Sequence, residues 1–177
     1  MITGPVTILT HDYSWSVLKH KYGVILGNQR KTVIEDNVFI GWGSTILGGS
    51  HIGSNSIIGA NSVVTGYLKG NAVYAGNPVH EVMSLDDYYN KRKNRQLEEA
   101  IDYVRLYKTR FGRLPEMKEL DEYFFLFFNP QDEEQKRIFE SKLKLMQNYE
   151  KTINEAESHE AMFSDYESFL KYCKNKI

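Results

Sequence analysis

Aliphatic side chains recur at every sixth position along one stretch of the first half of the chain: Ile34, Ile40, Ile46, Ile52, Ile58 and Val64. Small residues follow four positions after each of the first five: Val38, Ser44, Ser50, Ser56 and Ser62. An α-helix repeats every 3.6 residues and a flat strand every 2, so neither element produces this pattern. The period predicts a solenoid of short strands and tight corners, three hexapeptides to a triangular coil, with the aliphatic residue inside and the small residue at the corner.

Residues that accept a left-handed backbone occupy the expected corners of this solenoid. Gly53, Asn55 and Asn61 are predicted to adopt positive φ there, because glycine has no Cβ and asparagine tolerates that region. Ile2 and Ile8, with Val6 between them, fit an earlier, partial coil. Between residues 10 and 32 the period is lost, which predicts an inserted loop over residues 11–32.

The second half of the chain has a different pattern. Residues 84–177 hold one of the 13 glycines and 36 charged residues, against nine charged residues in 1–83. Ser84 resembles a helix N-cap, and a helix is predicted to run from there to about Phe111 and to end at Gly112. Three further helices are predicted: Met117 to Phe128 behind Pro115, Asp132 to about Glu155, and a short helix capped by Ser164 with an apolar stripe of Phe169, Leu170 and Cys173. The predicted domains are therefore a solenoid at 1–83 and an α-helical region at 84–177, the latter without recognised chemistry and expected to serve packing.

Charge and composition exclude several function classes. The chain carries 22 basic and 23 acidic residues, so neither a strongly basic nucleic-acid binder nor a polybasic membrane anchor is expected. No stretch approaches the roughly 20 apolar residues of a transmembrane helix, and the first residues lack the pattern of a signal peptide. The single cysteine, Cys173, excludes an intrachain disulfide and a cysteine-based zinc site. A cytoplasmic protein is the expectation.

His11 is the candidate for catalysis, at the point where the repeat gives way to the loop. Transfer of an acyl group from a thioester to an alcohol needs a base that removes the hydroxyl proton, and an imidazole suits that task at neutral pH. Asp12 is a candidate for orienting or charge-stabilising the imidazole, although neighbours on a strand point to opposite sides. His20 is a second candidate for contacting substrate, whereas His51 precedes Ile52 and is expected to face outward from the coil.

The repeat, the string Thr10-His11-Asp12 and the closing segment Ala75-Gly76-Asn77-Pro78 resemble those of the hexapeptide-repeat acyltransferases, in particular galactoside, maltose and capsular-polysaccharide O-acetyltransferases. The resemblance covers residues 2–83. It implies a mainly β fold, a left-handed parallel β-helix with the C-terminal α-helical region appended, assembled as a homotrimer. It also implies acetyl-CoA-dependent O-acetylation of a sugar or surface polysaccharide precursor, with His11 as the base.

The same resemblance assigns coenzyme contacts position by position. Gly41 and Trp42 match the end of a "WIG"-type string and the residue after it, which contacts the pantetheine arm in those enzymes. Ala60 and Thr65 match further contact positions on the following coil, and His80 matches an arginine near the nucleotide phosphates. Two departures stand out: His80 replaces that arginine, and Gly66 replaces the lysine that usually follows the threonine. Lys69 is a candidate to compensate for the lost charge.

Two alternatives remain open at this point, one enzymatic and one not. N-acetylation of an amino-sugar nucleotide would use the same donor site. A non-catalytic scaffold, or a truncated inactive member, would fit the two departures and the ten residues that precede His11. A catalytic zinc such as that of the γ-class carbonic anhydrases, which share the fold, is not expected, because their three clustered histidines are not matched.

Overall fold

The computed structural model describes all residues 1–177, which form two compact units, Met1–Arg92 and Lys93–Ile177. The first unit consists of short parallel strands stacked in three sheets and closed by one antiparallel strand. The second unit consists of helices. The predicted fold class, a left-handed parallel β-helix with a C-terminal α-helical region, is confirmed. None of the helices is both long enough and apolar enough to cross a membrane.

The strands of the first unit follow the hexapeptide spacing over the predicted range. They are β1 (Thr7–Ile8), β2 (His11–Asp12), β3 (Asn28–Gln29), β4 (Val33–Ile34), β5 (Phe39–Ile40), β6 (Thr45–Ile46), β7 (His51–Ile52), β8 (Ile57–Ile58), β9 (Val63–Val64), β10 (Tyr67–Leu68), β11 (Ala72–Ala75) and β12 (His80–Ser84). The first face is β1-β6-β9, the second β4-β7-β10, and the third β5-β8-β11 with β12 added antiparallel. A bridge between Ile2 and Ile40 adds the chain start to the third face, so the predicted partial coil is confirmed.

The core of the β-helix is a column of aliphatic side chains, as the period predicts. Ile40, Ile46, Ile52, Ile58 and Val64 are fully buried. The small corner residues are buried as well, and their hydroxyls donate to corner carbonyls: Ser50 to Leu47, Ser56 to Gly53 and Ser62 to Gly59, each at 2.6 Å. Every buried polar side-chain atom therefore has a partner, which offsets the cost of burying it.

The corners contain asparagine where φ is positive and glycine where two coils approach closely. Asn55 and Asn61 have positive φ, as predicted. The prediction for Gly53 is wrong, because its φ is not positive; instead, a Cβ there would lie 2.8 Å from the backbone of Lys69 on the next coil. Gly53 thus sets the close approach of two coils rather than a turn geometry.

Residues 11–32, predicted as a loop, are more ordered than that. The inserted segment leaves and rejoins the coil through an antiparallel ribbon of β2 and β3, with helix α1 (Trp15–Tyr22) between them. The helix ends at Gly23, whose φ of 77° permits the left-handed C-cap. No α1 residue is buried, so burial periodicity gave no signal for this helix.

The helical unit differs from its prediction in segmentation. Its elements are α2 (Leu85–Phe111), which begins in the first unit, α3 (Glu133–Ile138), α4 (Glu140–Leu143), α5 (Tyr149–Ser158) and α6 (Tyr166–Lys174), with 3₁₀ turns at Met117–Leu120, Phe124–Leu126 and Leu145–Gln147. The bounds of α2 are as predicted, with the Ser84 hydroxyl accepting from the Asp87 N–H. The cap of α6 is Asp165 rather than Ser164, because its carboxylate accepts the Ser168 N–H.

The two long helices predicted for residues 117–128 and 132–155 are wrong. Phe124, Leu126, Phe127 and Phe128 are all buried, and a continuous α-helix would turn at least one of them to solvent. The later stretch breaks at Phe139, which is fully buried, and at Met146, whose φ is +65°. Core packing in this unit overrides the local helical pattern.

Candidate functional site

The antiparallel ribbon positions His11 beside the first face of the β-helix. Leu9 continues from β1 by donating its N–H to the Ile46 carbonyl, which holds the chain on the coil until the ribbon begins. In the ribbon His11 pairs with Gln29, and the Arg30 N–H donates to the Thr10 carbonyl at 2.8 Å. The predicted catalytic residue is therefore held by main-chain bonds on both sides.

A cleft of about 140 Å³ opens at this point. It is lined by Leu9, Thr10, His11, Asp12, Asn28, Arg30, Leu47, Gly48 and Thr65. Four of these residues precede or begin the insertion, two lie near its end, and three belong to the corner where the chain leaves the first face. We call this corner, residues 47–50 and 65–66, the exit corner. It brings together three residues singled out by sequence: His11, Asp12 and Thr65.

The His11 ring is exposed, and its contacts come from neighbours in sequence. Its Nδ1 lies 3.3 Å from the Thr10 hydroxyl, and its ring meets Tyr13 edge-on with centroids 5.6 Å apart. Gly48 lies beneath it, since a Cβ there would approach the backbone of Thr10 and His11 to 3.1–3.4 Å. The ring thus has an open side toward solvent, where an acceptor hydroxyl could approach it.

Asp12 makes its hydrogen bonds to Ser14 and Asn28 rather than to the imidazole. Its carboxylate accepts the Ser14 N–H at 2.9 Å and the Asn28 side-chain amide across the ribbon, and it makes no hydrogen bond to His11. Hydrogen bonds from Ser14 lower the pKa of Asp12, with smaller contributions from Asn28 and from the positive charge of Arg30. The carboxylate fastens the start of the insertion to its end.

The other predicted coenzyme contacts lie at a second corner. We call residues 41–44 and 59–62 the entry corner, because they lead into the strands of the first face. Gly41 is buried against Ala60, and a Cβ on Gly41 would come within 2.6 Å of the Ala60 nitrogen. The Asn61 N–H donates to the Trp42 carbonyl at 2.8 Å, and the Trp42 ring is 60% exposed, with Gly4 packed against it.

His80 continues this corner by one coil. It pairs with Ala75, and its ring lies against Gly76, whose carbonyl accepts the Val63 N–H. Trp42, Ala60 and His80 therefore form one column on successive coils. Lys69 lies instead at the third corner, beside Gly53, so it does not restore a positive charge next to His80.

Within one chain, the predicted site falls into two halves. One half lies at the exit corner, where the cleft is lined by His11, Asp12 and Thr65. The other half lies at the entry corner and comprises Gly41, Trp42 and Ala60, with His80 one coil further on. The first face separates the two corners, because each of its strands runs from one to the other. One chain does not bring the two halves together.

The remaining histidines do not join either half. His20 is exposed on α1. His51 faces outward, as predicted, and its Nε2 lies 2.5 Å from Glu35 while its ring meets Tyr67 edge-on. This hydrogen bond and those from Ser54 lower the pKa of Glu35. No cluster of three or more His, Cys, Asp or Glu side chains is arranged to hold a metal ion.

Cys173 lacks the properties of a nucleophile. It is fully buried in the helical unit, and burial raises the pKa of its thiol to about 11. A thiol is reactive as the thiolate, so this residue serves packing.

Sequence reasoning missed two polar residues of the cleft, Asn28 and Arg30. Both lie near the end of the insertion, 17 and 19 residues after His11 in the chain, and only the ribbon places them opposite it. The available signal was the pair of basic residues Arg30-Lys31 immediately before the period resumes, but the period itself does not say which of them faces the cleft.

Comparison with known proteins supports the assignment of the repeat. Residues 31–66 match the family model "Bacterial transferase hexapeptide (six repeats)". Protein CapG of Staphylococcus aureus is 41% identical over 90 residues, which cover 51% of this chain and 52% of CapG. The chain therefore spans about half the length of this relative.

Two solved structures are similar to part of this chain. A maltose O-acetyltransferase from Clostridium difficile 630 is 32% identical, with 47% of this chain and 44% of that chain covered and a TM-score of 0.41. A galactoside acetyltransferase in complex with coenzyme A is 30% identical, with 49% and 43% covered and a TM-score of 0.43. The match to the family model over residues 31–66 confirms the hexapeptide repeat that the sequence predicts.

Proposed function

We propose that this chain is an acetyl-CoA-dependent O-acetyltransferase whose acceptor is a sugar or a surface polysaccharide precursor, and that residues 1–83 are its acyltransferase domain. The observation that carries the proposal is the position of His11. A histidine with an open ring face lies in a cleft at the exit corner of hexapeptide coils, beside Thr65, one of the positions that the family resemblance assigns to the coenzyme. A transferase-type repeat and a base at its corner together favour acyl transfer.

The proposed reaction is a direct transfer. His11 removes the proton from an acceptor hydroxyl as that oxygen attacks the thioester carbonyl carbon, so a C–O bond forms. The carbon–sulfur bond then breaks, coenzyme A leaves as the thiolate, and the proton held by His11 returns to its sulfur. Main-chain N–H groups of the corner would stabilise the negative oxygen of the intermediate. Cys173 takes no part, because its thiol is buried elsewhere.

The proposal includes a homotrimer. The two halves of the predicted site lie at opposite edges of the first face, so a complete site needs the entry corner of one copy near the exit corner of another. The insertion supports such an assembly because it exposes many large apolar side chains: Tyr13, Val17, Tyr22, Val24, Ile25 and Leu26. Light scattering at micromolar concentration should give the mass of three chains; a monomer would contradict this arrangement.

The location proposed for the reaction is the cytoplasm. The near-balanced charge and the single cysteine are consistent with it.

Removal of the base tests the reaction. His11→Ala should lower kcat by about 10²–10⁴-fold, the usual effect of losing a positioned general base. The Kd for acetyl-CoA should stay within a few-fold, because the donor contacts lie on the coils. Turnover is measured as coenzyme A release with a panel of neutral and acidic sugars, and the Kd by titrating acetyl-CoA while following tryptophan fluorescence.

Two variants serve as controls for this experiment. His20→Ala removes an exposed histidine that does not line the cleft and should retain near-full turnover. Asp12→Asn should cost less than His11→Ala, since Asp12 fastens the insertion and makes no bond to the imidazole. Near-full activity of His11→Ala would overturn the assigned base, and the absence of saturable acetyl-CoA binding would favour a scaffold.

A further inference from the structure

The cleft beside His11 contains one permanent positive charge, that of Arg30. Arginine is charged at every physiological pH, and its planar guanidinium offers five N–H donors in a fork that matches carboxylate and phosphate oxygens. The proposed transfer step does not use this residue. Its positive charge is therefore available to bind an anionic group of a ligand in the cleft.

The main chain and a glycine hold Arg30 in position. Its N–H donates to the Thr10 carbonyl at 2.8 Å, directly before His11. Its aliphatic stem lies on Gly49, where an added Cβ would stand 3.1 Å from Cδ and 3.3 Å from Nε. Gly49 has φ of +87°, so a side chain there would be strained as well as in the way. The aliphatic part of the Arg30 side chain therefore packs on the backbone of Gly49, which sets its direction.

The guanidinium makes no hydrogen bond, ion pair or stacking contact within the chain. Its charge acts on Asp12 only at longer range, where it contributes to lowering the pKa of that carboxyl. The Asp12 oxygens are already used, one by the Ser14 N–H and the other by the Asn28 amide. Arg30 therefore keeps its donors available at the place where an acceptor would lie against His11.

We propose that Arg30 binds a carboxylate or phosphate group of the acceptor, so that the acceptor is an acidic sugar unit. This inference rests on the proposed function and narrows its substrate class. Two parallel N–H···O bonds would fix the acidic group, and with it the orientation of the sugar ring and the hydroxyl offered to His11. The matching substrates are uronic-acid units or phosphorylated sugars.

The test compares acceptors that differ in one charge. A methyl hexuronoside is paired with its uronamide, and a methyl hexoside 6-phosphate with the unphosphorylated hexoside. The quantity measured is the ratio of kcat/KM for the charged member to that for the neutral member. The wild-type ratio should be about ten or more, as expected for charge-assisted hydrogen bonds, and it should fall as salt is added. The pair with the larger ratio identifies whether carboxylate or phosphate is the natural group.

Arg30→Gln and Lys31→Gln form the matched variants. Each removes one positive charge at adjacent positions, but only Arg30 lines the cleft. Arg30→Gln should bring the ratio close to one, Arg30→Lys should retain part of it, and Lys31→Gln should leave it unchanged. An unaltered ratio in Arg30→Gln overturns the proposal. So does a raised KM for acetyl-CoA with an unaltered ratio, because Arg30 would then bind the phosphates of the donor.

Binding without turnover separates this inference from the proposed function. If no acceptor is acetylated, NMR titration of the full chain with the hexuronoside, the hexoside phosphate and their neutral counterparts decides the matter. Tighter binding of a charged member, lost in Arg30→Gln and kept in Lys31→Gln, would support the anion subsite while the acetyltransferase proposal fails. Equal binding within both pairs would overturn the subsite.

Discussion

The two units bury their cores by different means. In residues 1–92 the core consists of aliphatic side chains stacked in register between coils on three faces, with Ile34 on Ile52, Ile40 on Ile58 and Ile46 on Val64. In residues 93–177 it is a cluster of aromatic rings, with Phe124 stacked on Phe139 at 4.4 Å and Phe127 against Phe169 at 5.4 Å. The first core is built by repetition and the second by the shapes of individual rings.

The polar contacts follow the same division. In the β-helix they repeat along a corner: the Asn37 amide donates to Asn55 at 2.8 Å, and the Asn55 amide donates to Asn71 at 3.0 Å. In the helical unit they form one local network, in which Arg113 makes a two-pronged ion pair with Glu119 and Tyr107 donates to the same carboxylate. A repeated contact can be read from sequence spacing, whereas a single network cannot.

The aromatic cluster should give the largest response to substitution. Phe127→Ala removes a fully buried ring and should lower the free energy of unfolding by about 3–5 kcal/mol, because the cavity cannot be refilled by rigid neighbours. Urea denaturation measures this change. Phe111→Ala is the control, since that ring is 54% exposed and should cost much less. Similar losses for the two variants would show that the cluster is not the core of this unit.

The asparagine ladder should give an intermediate response. Asn55→Ala loses two side-chain hydrogen bonds and puts alanine, which tolerates positive φ less well than asparagine, at φ of 58°. The free energy of unfolding should fall by about 1–3 kcal/mol. Asn55→Gly restores the backbone freedom, so the loss that remains measures the ladder alone. Asn61→Gly is the control, because Asn61 has φ of 57° and no side-chain hydrogen bond. If both glycine variants are equally stable, the ladder contributes nothing and the repetition is only geometric.

Acid should produce the smallest effect, and in both units. The ion pair with Arg113 lowers the pKa of Glu119 from 4.5 to about 2, helped by Tyr107 and the Glu116 N–H. Because the carboxylate has the lower pKa when folded, its contribution is complete above about pH 4.5 and is lost as pH falls toward 2. Glu35, whose pKa is lowered first by His51, should behave in the same direction.

Melting temperatures recorded across this pH range test the prediction. The difference between wild type and Glu119→Gln should shrink from pH 5 to pH 2, and so should that between wild type and Glu35→Gln. Glu160→Gln, which removes an exposed carboxylate without an ion pair, is the reference. A Glu119 difference that stays constant with pH would mean that the network does not stabilise the folded state.

The sequence by itself determined the β-helix, because a period of six has only one structural meaning. The spacing of Ile40, Ile46 and Ile52 is a property of the local chain, and each coil repeats the instruction to the next. The same holds for helix α2, whose start at Ser84 and end at Gly112 are signals carried by residues within one turn of the helix. His11 could also be singled out, since it stands where the period stops.

Only the tertiary structure decided the rest. The run from Phe124 to Phe128 lies in a predicted helix, but contacts with Phe139 and Phe169 from elsewhere in the chain fix a different conformation. Likewise, Arg30 reaches the His11 cleft only because β3 returns beside β2, and Thr65 meets them only because the coil has turned once more. Contacts between residues that are distant in the chain leave no periodic trace in the sequence, because they depend on three-dimensional packing rather than on spacing.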